Sequence, residues 1–306
     1  MGLPEEESNG DVRYRDWDNL KYWFRGVEKF APWVNNVYFV TCGHYPKWLN
    51  LDCPKLKFVK HEDYIPAEYL PTFSANPIEV NLHRIEGLSE KFVYFNDDMF
   101  LINNIEKEDF FKNNLPLRRV DEGVLPGPSR LMSGILMTDA WAINKNFSKR
   151  DVLKKTFLKY FNFKSGFKAN LRKICLAPFP NFSVMTDPHL PSPLLKSTFE
   201  EVWNKELDLL SKTSENKFRT SEDVNQYLFK VWDICKGNYE PTNYKKAKAI
   251  SVTDDNYIEM AEDIRKQKYN QICLNDEAST KELEKIMKEI NDALESILPE
   301  KSMFER

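Results

Sequence analysis

Glycine is scarce in this sequence, and the glycine-rich motifs that bind phosphate groups are missing from it. The 306 residues include 10 glycines, and neither GxxxxGKS/T nor GxGxxG occurs. The sequence therefore offers no P-loop and no dinucleotide-binding fingerprint. The GxSxG turn of the α/β-hydrolases is absent as well. Any phosphate site must be built from a metal ion, arginine or lysine side chains and helix ends.

The cysteines show no metal-binding or disulfide pattern. They are odd in number and widely spaced, and the sequence contains no CxxC pair and no Cys/His spacing typical of a zinc site. Such a pattern predicts free, buried thiols in a reducing compartment. The five residues are Cys42, Cys53, Cys175, Cys235 and Cys273.

Long apolar runs and an excess of positive charge are also lacking. No stretch approaches the roughly 18–20 apolar residues of a membrane span, and 44 basic residues face 47 acidic ones, a net charge of −3. We therefore expect no nucleic-acid partner, although a local basic pocket for a phosphorylated molecule is compatible with this balance. The acidic start MGLPEEESNGDVRYRD argues against a secretory signal peptide.

What is present indicates a folded α/β protein. The 21 Phe, 13 Tyr and 7 Trp are far more than a disordered chain carries. Apolar residues recur at helical spacing in DNLKYWFRGVEKF, and short strands are predicted at VYFV, LKFVK and KFVYF, with a helix at IEVNLHRIEGL closed by Gly87. Alternation of strands and helices predicts a mostly parallel sheet flanked by helices.

The second half of the chain is predicted to be less regular before it returns to this pattern. Prolines dominate an insertion at about 103–195, in which RLMSGILMTDAWAINKNF predicts a strand and RDVLKKTFLKYF a basic helix. Ser197 with Glu200, and Ser279 with Glu282, are read as helix caps, and YNQICLND as a late strand. The whole predicts a tail at 1–10 and a single α/β domain over 11–300.

The strongest local signal for chemistry is the acidic pair in FNDDMF. Asp97 and Asp98 directly follow the predicted strand at 91–95, and ligands bind α/β sheets at the carboxyl ends of strands. Neighbouring side chains on a strand face opposite ways, but a turn after the strand would let both carboxylates hold Mg²⁺ or Mn²⁺. The alternative is a capping aspartate or a solvated turn.

Two further residues are candidates for a catalytic or binding role. His189 lies in the proline-stiffened segment DPHLPSPLLKS and is a candidate general base; the alternative is a loop histidine without a role. Arg219 precedes a helix predicted to start near Thr220, where it could join free backbone N–H groups in binding a phosphate. A pairing of Arg219 with Glu222 or Asp223 is equally compatible with the sequence.

Several segments together resemble the Stealth family. The resemblance rests on RYRDWDNLKYWFRGVEKFAPWVNNVYFVT, KHEDYIPAEYLPTFSANPIEVNLHRIEGLSEKFVYFNDDMFL, DPHLPSPLLKS, KFRTSEDVNQYLF and ICLND. It implies transfer of a hexose-1-phosphate from a UDP-sugar such as UDP-GlcNAc to a hydroxyl of an oligosaccharide or polysaccharide acceptor, with release of UMP. It also implies a glycosyltransferase-A-like fold, a divalent cation, and the bacterial capsule branch, hence a cytoplasmic protein at the inner membrane face.

The resemblance also assigns roles to residues. Asp97, Asp98 and Asp276 are implied to bind the metal and His189 to act as base. The remaining assignments are phosphate contact by Arg219 and donor binding by Arg15, Asn19 and Asn275.

One family feature is not found: a strand motif resembling DxVYTWVDGxD, expected before the RDWDNLKYWF helix. Either the chain is a fragment, or another chain supplies this strand, or donor binding is impaired. Two alternative functions therefore stay open at this point: a metal-dependent glycosyltransferase that releases UDP, and an inactive sugar-binding fragment.

The basic segment at 149–168 is a candidate contact for acidic lipid or an anionic glycan. A solvated helix explains the same pattern.

Overall fold

The first helix, α1 (Leu20–Phe30), has the apolar spacing that the sequence predicts for it. In this computed structural model, which describes residues 15–124, 129–277 and 281–306, Phe24, Val27 and Phe30 are buried on one face of α1. A Cβ at Gly26 would lie 2.6 Å from the backbone oxygen of Leu101. Glycine at this position therefore lets α1 pack directly against the backbone of the strand that contains Leu101.

The described residues form ten strands and ten α-helices in mixed order along the chain. The strands are β1 (Val37–Thr41), β2 (Leu56–Lys60), β3 (Lys91–Tyr94), β4 (Met99–Leu101), β5 (Phe111–Lys112), β6 (Leu115–Arg118), β7 (Ser192–Leu195), β8 (Glu240–Pro241), β9 (Ala247–Val252) and β10 (Gln271–Asp276). After α1, the helices are α2 (Ala75–Val80), α3 (Arg130–Asn146), α4 (Lys149–Tyr160), α5 (Phe167–Leu176), α6 (Lys196–Lys205), α7 (Leu207–Glu215), α8 (Gln226–Lys236), α9 (Tyr257–Arg265) and α10 (Leu283–Ile297).

The sheets are small and mixed in direction. Among the described residues, β1–β2, β9–β10 and β6–β8 pair parallel, whereas β4–β10, β3–β7 and β5–β6 pair antiparallel. The mixed α/β class is thus confirmed. Because parallel and antiparallel pairs are equally common, however, the expected mostly parallel sheet is not what these strands form.

Two apolar cores lie on opposite faces of β1. Phe39 and Val37 join the core that contains α1, α9 and α10, whereas Tyr38 and Val40 pack against the core built around α8. This division follows from the alternation of side chains along a strand. Helices therefore cover both faces of the strand, which is a common layer arrangement in α/β proteins.

One predicted strand is a helix. The segment RLMSGILMTDAWAINKNF forms α3, which begins after the Ser129 side chain accepts a hydrogen bond from the Met132 N–H. Its buried residues Leu131, Ile135, Asp139 and Ala142 recur every three to four positions, the helical period. The prediction of a strand is wrong because it relied on the apolar composition of the segment and not on the spacing of its apolar residues.

Some predicted helix ends also differ from the structure. Ser197 does not cap a helix: α6 begins at Lys196, and the Ser197 hydroxyl contacts Glu90. The predicted cap Ser279 lies outside the described residues, as does the tail at 1–10. Gly237 directly follows α8 with a left-handed φ of 78° and ends the helix.

None of the helices in the described residues is both long enough and apolar enough to cross a bilayer.

Candidate active site

The acidic pair lies in a tight turn between two strands. β3 ends at Tyr94, and β4 starts at Met99. The backbone oxygen of Asp98 accepts a 2.8 Å hydrogen bond from Leu274 N–H on β10, and the Cys273 thiol lies 3.2 Å from the Asp98 Oδ2 atom. Pairing of β4 with β10 therefore fixes where the Asp98 carboxylate lies.

Strand pairing also explains how His189 reaches this turn. β7 runs antiparallel to β3 with Ser192 opposite Tyr94, so residues just before β7 lie beside residues just after β3. The His189 Nε2 atom is 3.1 Å from the Asn96 amide nitrogen and 3.5 Å from the Asp98 Oδ2 atom. The structure thus brings together two predicted site residues that are remote in sequence.

The two neighbours of His189 suit its two protonation states. An amide N–H is a donor, so a neutral Nε2 can accept from Asn96. A protonated Nε2 can instead face the Asp98 carboxylate, which stabilises the positive charge. Protonation of Nε2 would therefore exchange the contact with the Asn96 N–H for one with the Asp98 carboxylate.

Asp97 is in an environment unfavourable to its negative charge. Burial, followed by the negative charge of Asp98, raises the pKa of the Asp97 carboxyl. In Asp98, the buried Oδ1 atom has no hydrogen-bond partner among the described residues. Two crowded carboxylates with an unsatisfied oxygen form a donor set that fits a hard divalent cation.

Cys273 is a site residue that the sequence analysis missed. A ligand atom of Cys273, one of Asp98 and one of His189 all lie within 4.8 Å of one another, a spacing at which three groups could share one metal ion. Burial and the charge of Asp98 raise the pKa of the Cys273 thiol, which keeps it protonated as a hydrogen-bond donor. Only the pairing of β10 with β4 reveals this contact, since Cys273 belongs to no cysteine motif.

The residues predicted at the end of β10 form a neighbouring polar group. Asp276 lies 3.3 Å from Arg15 Nη1 and accepts a 3.0 Å hydrogen bond from the Trp17 indole N–H. Asn275 contacts Ser251 at 3.4 Å and Glu277 at 3.2 Å. Asn19 holds the position before α1, and no side-chain hydrogen bond from it caps the helix.

Arg219 is not at a helix N-terminus. α8 begins at Gln226 with Asn225 as its cap, so the predicted phosphate site beside a helix start near Thr220 is wrong in its geometry. The alternative pairings are not seen either: Glu222 binds Lys212, and the Asp223 carboxylate accepts from Asn76, Asn216 and Thr220.

The charges of Arg219 and His189 both act on the buried carboxyl of Glu79. Burial raises the pKa of Glu79, opposed by the Gln226 N–H bond, the charge of Arg219, the Tyr94 hydroxyl bond and the charge of His189. The Tyr94 hydroxyl donates at 3.1 Å and the Gln226 N–H at 3.2 Å. Sequence reasoning placed Glu79 in a helix but gave no sign of this role, which depends on burial.

A cavity of about 1510 Å³ opens beside the turn. All of β1 and β3 contribute consecutive residues to its wall; because side chains on a strand alternate, consecutive lining means that the strand edges face the cavity. Within the described residues, β1 pairs with β2 alone and β3 with β7 alone. Of the predicted site residues in the described chain, Asp97 alone lines this cavity.

His83, in contrast, is a packing residue. Its ring lies against Phe199 and Trp203, and burial lowers the pKa of His83 to about 4. The five cysteines are free as expected, but Cys42 and Cys175 are exposed and not buried.

Comparison with known proteins assigns the chain to a family. The description Stealth protein CR2, conserved region 2, matches residues 13–118, which include the acidic pair. The chain is 42% identical over 305 residues to the capsular polysaccharide phosphotransferase WcwK of Streptococcus pneumoniae, covering 98% of this chain and 89% of WcwK. It is 40% identical to the receptor polysaccharide phosphotransferase WefC of Streptococcus gordonii, covering 98% and 90%. For the exopolysaccharide phosphotransferase cps2G of Lactiplantibacillus plantarum the identity is 37%, covering 98% and 89%. With relatives of this similarity along almost its whole length, the chain belongs to the Stealth family of phosphotransferases.

Proposed function

We propose that the protein transfers a hexose-1-phosphate from a UDP-sugar to a hydroxyl group of a glycan acceptor and releases UMP, as a step in capsular polysaccharide synthesis. The relatives' names support a phosphotransferase that acts on a polysaccharide. The observation that carries the proposal is the position of His189 Nε2 between Asn96 and Asp98. This arrangement is what a general base beside a charged substrate needs.

In this reaction the acceptor oxygen attacks the β-phosphorus of the donor. The new bond joins that oxygen to phosphorus, and the bond from the β-phosphorus to the bridging oxygen breaks, so that UMP leaves with the bridging oxygen. The sugar C1–O bond stays intact. His189 Nε2 takes the proton of the hydroxyl, and Asp98 stabilises the resulting imidazolium.

The acidic pair is the proposed cation site. Asp97 and Asp98 offer hard oxygen ligands for Mg²⁺ or Mn²⁺, and the unsatisfied Asp98 Oδ1 supports this role. When bound, such a cation neutralises charge on the diphosphate. Because Arg15 already balances the charge of Asp276, we assign Asp276 to holding Arg15 in place and not to the cation.

The other predicted residues take binding roles in the proposal. Arg219, held in a turn by Thr220 and Asp223, contacts the phosphate oxygens. Arg15, Asn19 and Asn275 contact the nucleotide or sugar of the donor. Exposed free thiols at Cys42 and Cys175 suit the cytoplasmic setting that we propose, because they persist in a reducing compartment.

The glycosyltransferase-A-like fold is part of the same proposal. The cavity between the unpaired edges of β1 and β3 has apolar walls that belong to both cores. It is suited to a strand such as the family motif DxVYTWVDGxD would form. A strand in this position would join β1 and β3 into one sheet and end beside Asp97.

A nucleotide assay tests the function. The chain is incubated with UDP-GlcNAc, Mg²⁺ and an oligosaccharide acceptor, alone and extended by the part of WcwK that lies outside the match. We expect UMP in amounts equal to the phosphorylated product, and none without acceptor. Release of UDP would instead indicate a glycosyltransferase, and no turnover by either form would indicate a sugar-binding fragment.

A further inference from the structure

Helix α5 buries a lysine and exposes apolar side chains, the opposite of a normal surface helix. Its buried face carries Ala169 and Lys173, and Lys173 bonds to the Tyr160 backbone oxygen and the Ser165 hydroxyl. Its exposed face carries Phe167, Leu171 and Ile174, with Phe167 81% exposed. These residues are spaced by four and three positions, so they form one stripe on the helix. Apolar stripes usually face a core, and this one faces outward.

The exposed apolar side chains continue beyond α5. Phe163, in the turn before the helix, is 81% exposed, and Leu158 on α4 is 82% exposed. Of the sixteen large apolar side chains found exposed in the described residues, seven fall within 157–179. Concentration of this kind marks an interaction site, whereas scattered exposed apolar residues need no explanation.

The same segment is strongly basic. Residues 149–180 contain nine Lys or Arg and a single acidic residue, Asp151, in a chain whose net charge is −3. Some of these cations are engaged, such as Lys149 with Glu122. Four are exposed and have no acidic partner among the described residues: Arg150, Lys154, Lys155 and Lys168.

We propose that α4, α5 and the turn between them, the basic apolar surface, dock the protein on an anionic lipid bilayer. A bilayer interface takes up apolar side chains to a depth of roughly 5–10 Å while lysines contact the acidic head groups. Both features are present here. An anionic glycan would use the cations but would leave the exposed phenylalanine and leucine side chains in water, and so the apolar stripe favours lipid.

The basic apolar surface contains none of the proposed site residues. It lies on α4, α5 and the turn between them, whereas the acidic pair lies in the turn between β3 and β4 and His189 lies just before β7. Docking would hold the protein at the membrane surface through α4 and α5. The proposal does not depend on which bond the enzyme breaks, so the two can fail independently.

Vesicle sedimentation tests the proposal. The full chain is mixed with vesicles of phosphatidylcholine alone or of phosphatidylcholine with phosphatidylglycerol. We expect binding to the anionic vesicles that weakens with added salt. Phe167→Glu should lower the partition coefficient roughly 10- to 100-fold, and the double variant K154E/K155E at least about 30-fold.

Matched variants control for general changes in charge and hydrophobicity. Ile258→Glu removes an exposed apolar residue on α9, and K47E/K281E reverses two exposed lysines elsewhere; both should bind as the wild type does. A Phe167→Trp variant should show a blue-shifted emission with anionic vesicles, independent of sedimentation. Absence of binding, equal losses in the controls, or loss of a dimer on Phe167→Glu would overturn the proposal. Binding to soluble heparin that Phe167→Glu leaves unchanged, without vesicle binding, would indicate a glycan instead.

Discussion

The imidazole of His189 lies 3.5 Å from the carboxylate of Asp98, although the two residues are far apart in sequence. Antiparallel pairing of β7 with β3 creates this proximity. The contact joins a candidate base to a candidate metal ligand.

Replacement of His189 should remove activity without unfolding the protein. His189→Ala is expected to lower kcat by roughly 10²- to 10⁴-fold, the usual contribution of a general base. The side chain is 38% exposed, so Tm should change by only about 2 °C. His44→Ala, at another exposed histidine, should leave kcat unchanged. A loss of Tm that parallels the loss of kcat would favour a structural role.

Neutralisation of Asp97 should stabilise the metal-free protein. Because burial and Asp98 raise the pKa of Asp97, the folded chain binds a proton there more readily than the unfolded chain. Stability therefore falls as pH rises through this pKa. Asp97→Asn should raise Tm at neutral pH and flatten its decline with pH, while abolishing the effect of Mg²⁺ on Tm.

Thermal melts from acidic to neutral pH, with and without Mg²⁺, measure this prediction. Asp52→Asn, at an exposed carboxylate, is the matched control and should follow the wild type. An unchanged Mg²⁺ effect in Asp97→Asn would argue against the acidic pair as the cation site.

Glu79 should contribute to stability through its two hydrogen bonds. In Glu79→Gln the amide nitrogen that replaces a carboxylate oxygen cannot accept, so one donor, Tyr94 O–H or Gln226 N–H, is left unsatisfied. A buried unsatisfied group costs about 1–3 kcal/mol, which denaturant unfolding would detect. Glu259→Gln, on the exposed face of α9, should cost nothing measurable. Equal stabilities of the two variants would contradict the proposed burial of Glu79.

The free edges of β1 and β3 should become protected when a strand occupies the cavity. Both strands line the cavity, and within the described residues β1 pairs with β2 alone and β3 with β7 alone, so the backbone amides of their other edges have no strand partner there. Hydrogen exchange of peptides covering 37–41 and 91–95 should slow when the chain is extended by the unmatched part of WcwK. An extension of the same length and scrambled sequence is the control. Equal exchange in both would exclude strand insertion.

The sequence predicts a site residue when its role is indicated by its residue type and its neighbours in the chain. The acidic pair and His189 stand out by residue type and by their strand or proline context, and the first helix and β1 to β3 were placed by apolar spacing. Cys273 and Glu79 were missed because their roles depend on which strands pair and on burial, neither of which spacing reveals. Arg219 was misplaced because Asp223 forms a turn there and the helix starts only at Gln226.

Between β3 and β7 the chain leaves the two-stranded ribbon that these strands form and later returns to it. The length of the part between β6 and His189 is therefore free to vary in related chains, provided that Tyr94 stays opposite Ser192 and β4 stays paired with β10. A slip of one residue in that ribbon would turn each side chain to the other face and carry the imidazole away from the acidic turn. Insertions and deletions in relatives should accordingly collect between β6 and His189 and spare β3, the acidic turn, β4 and β7.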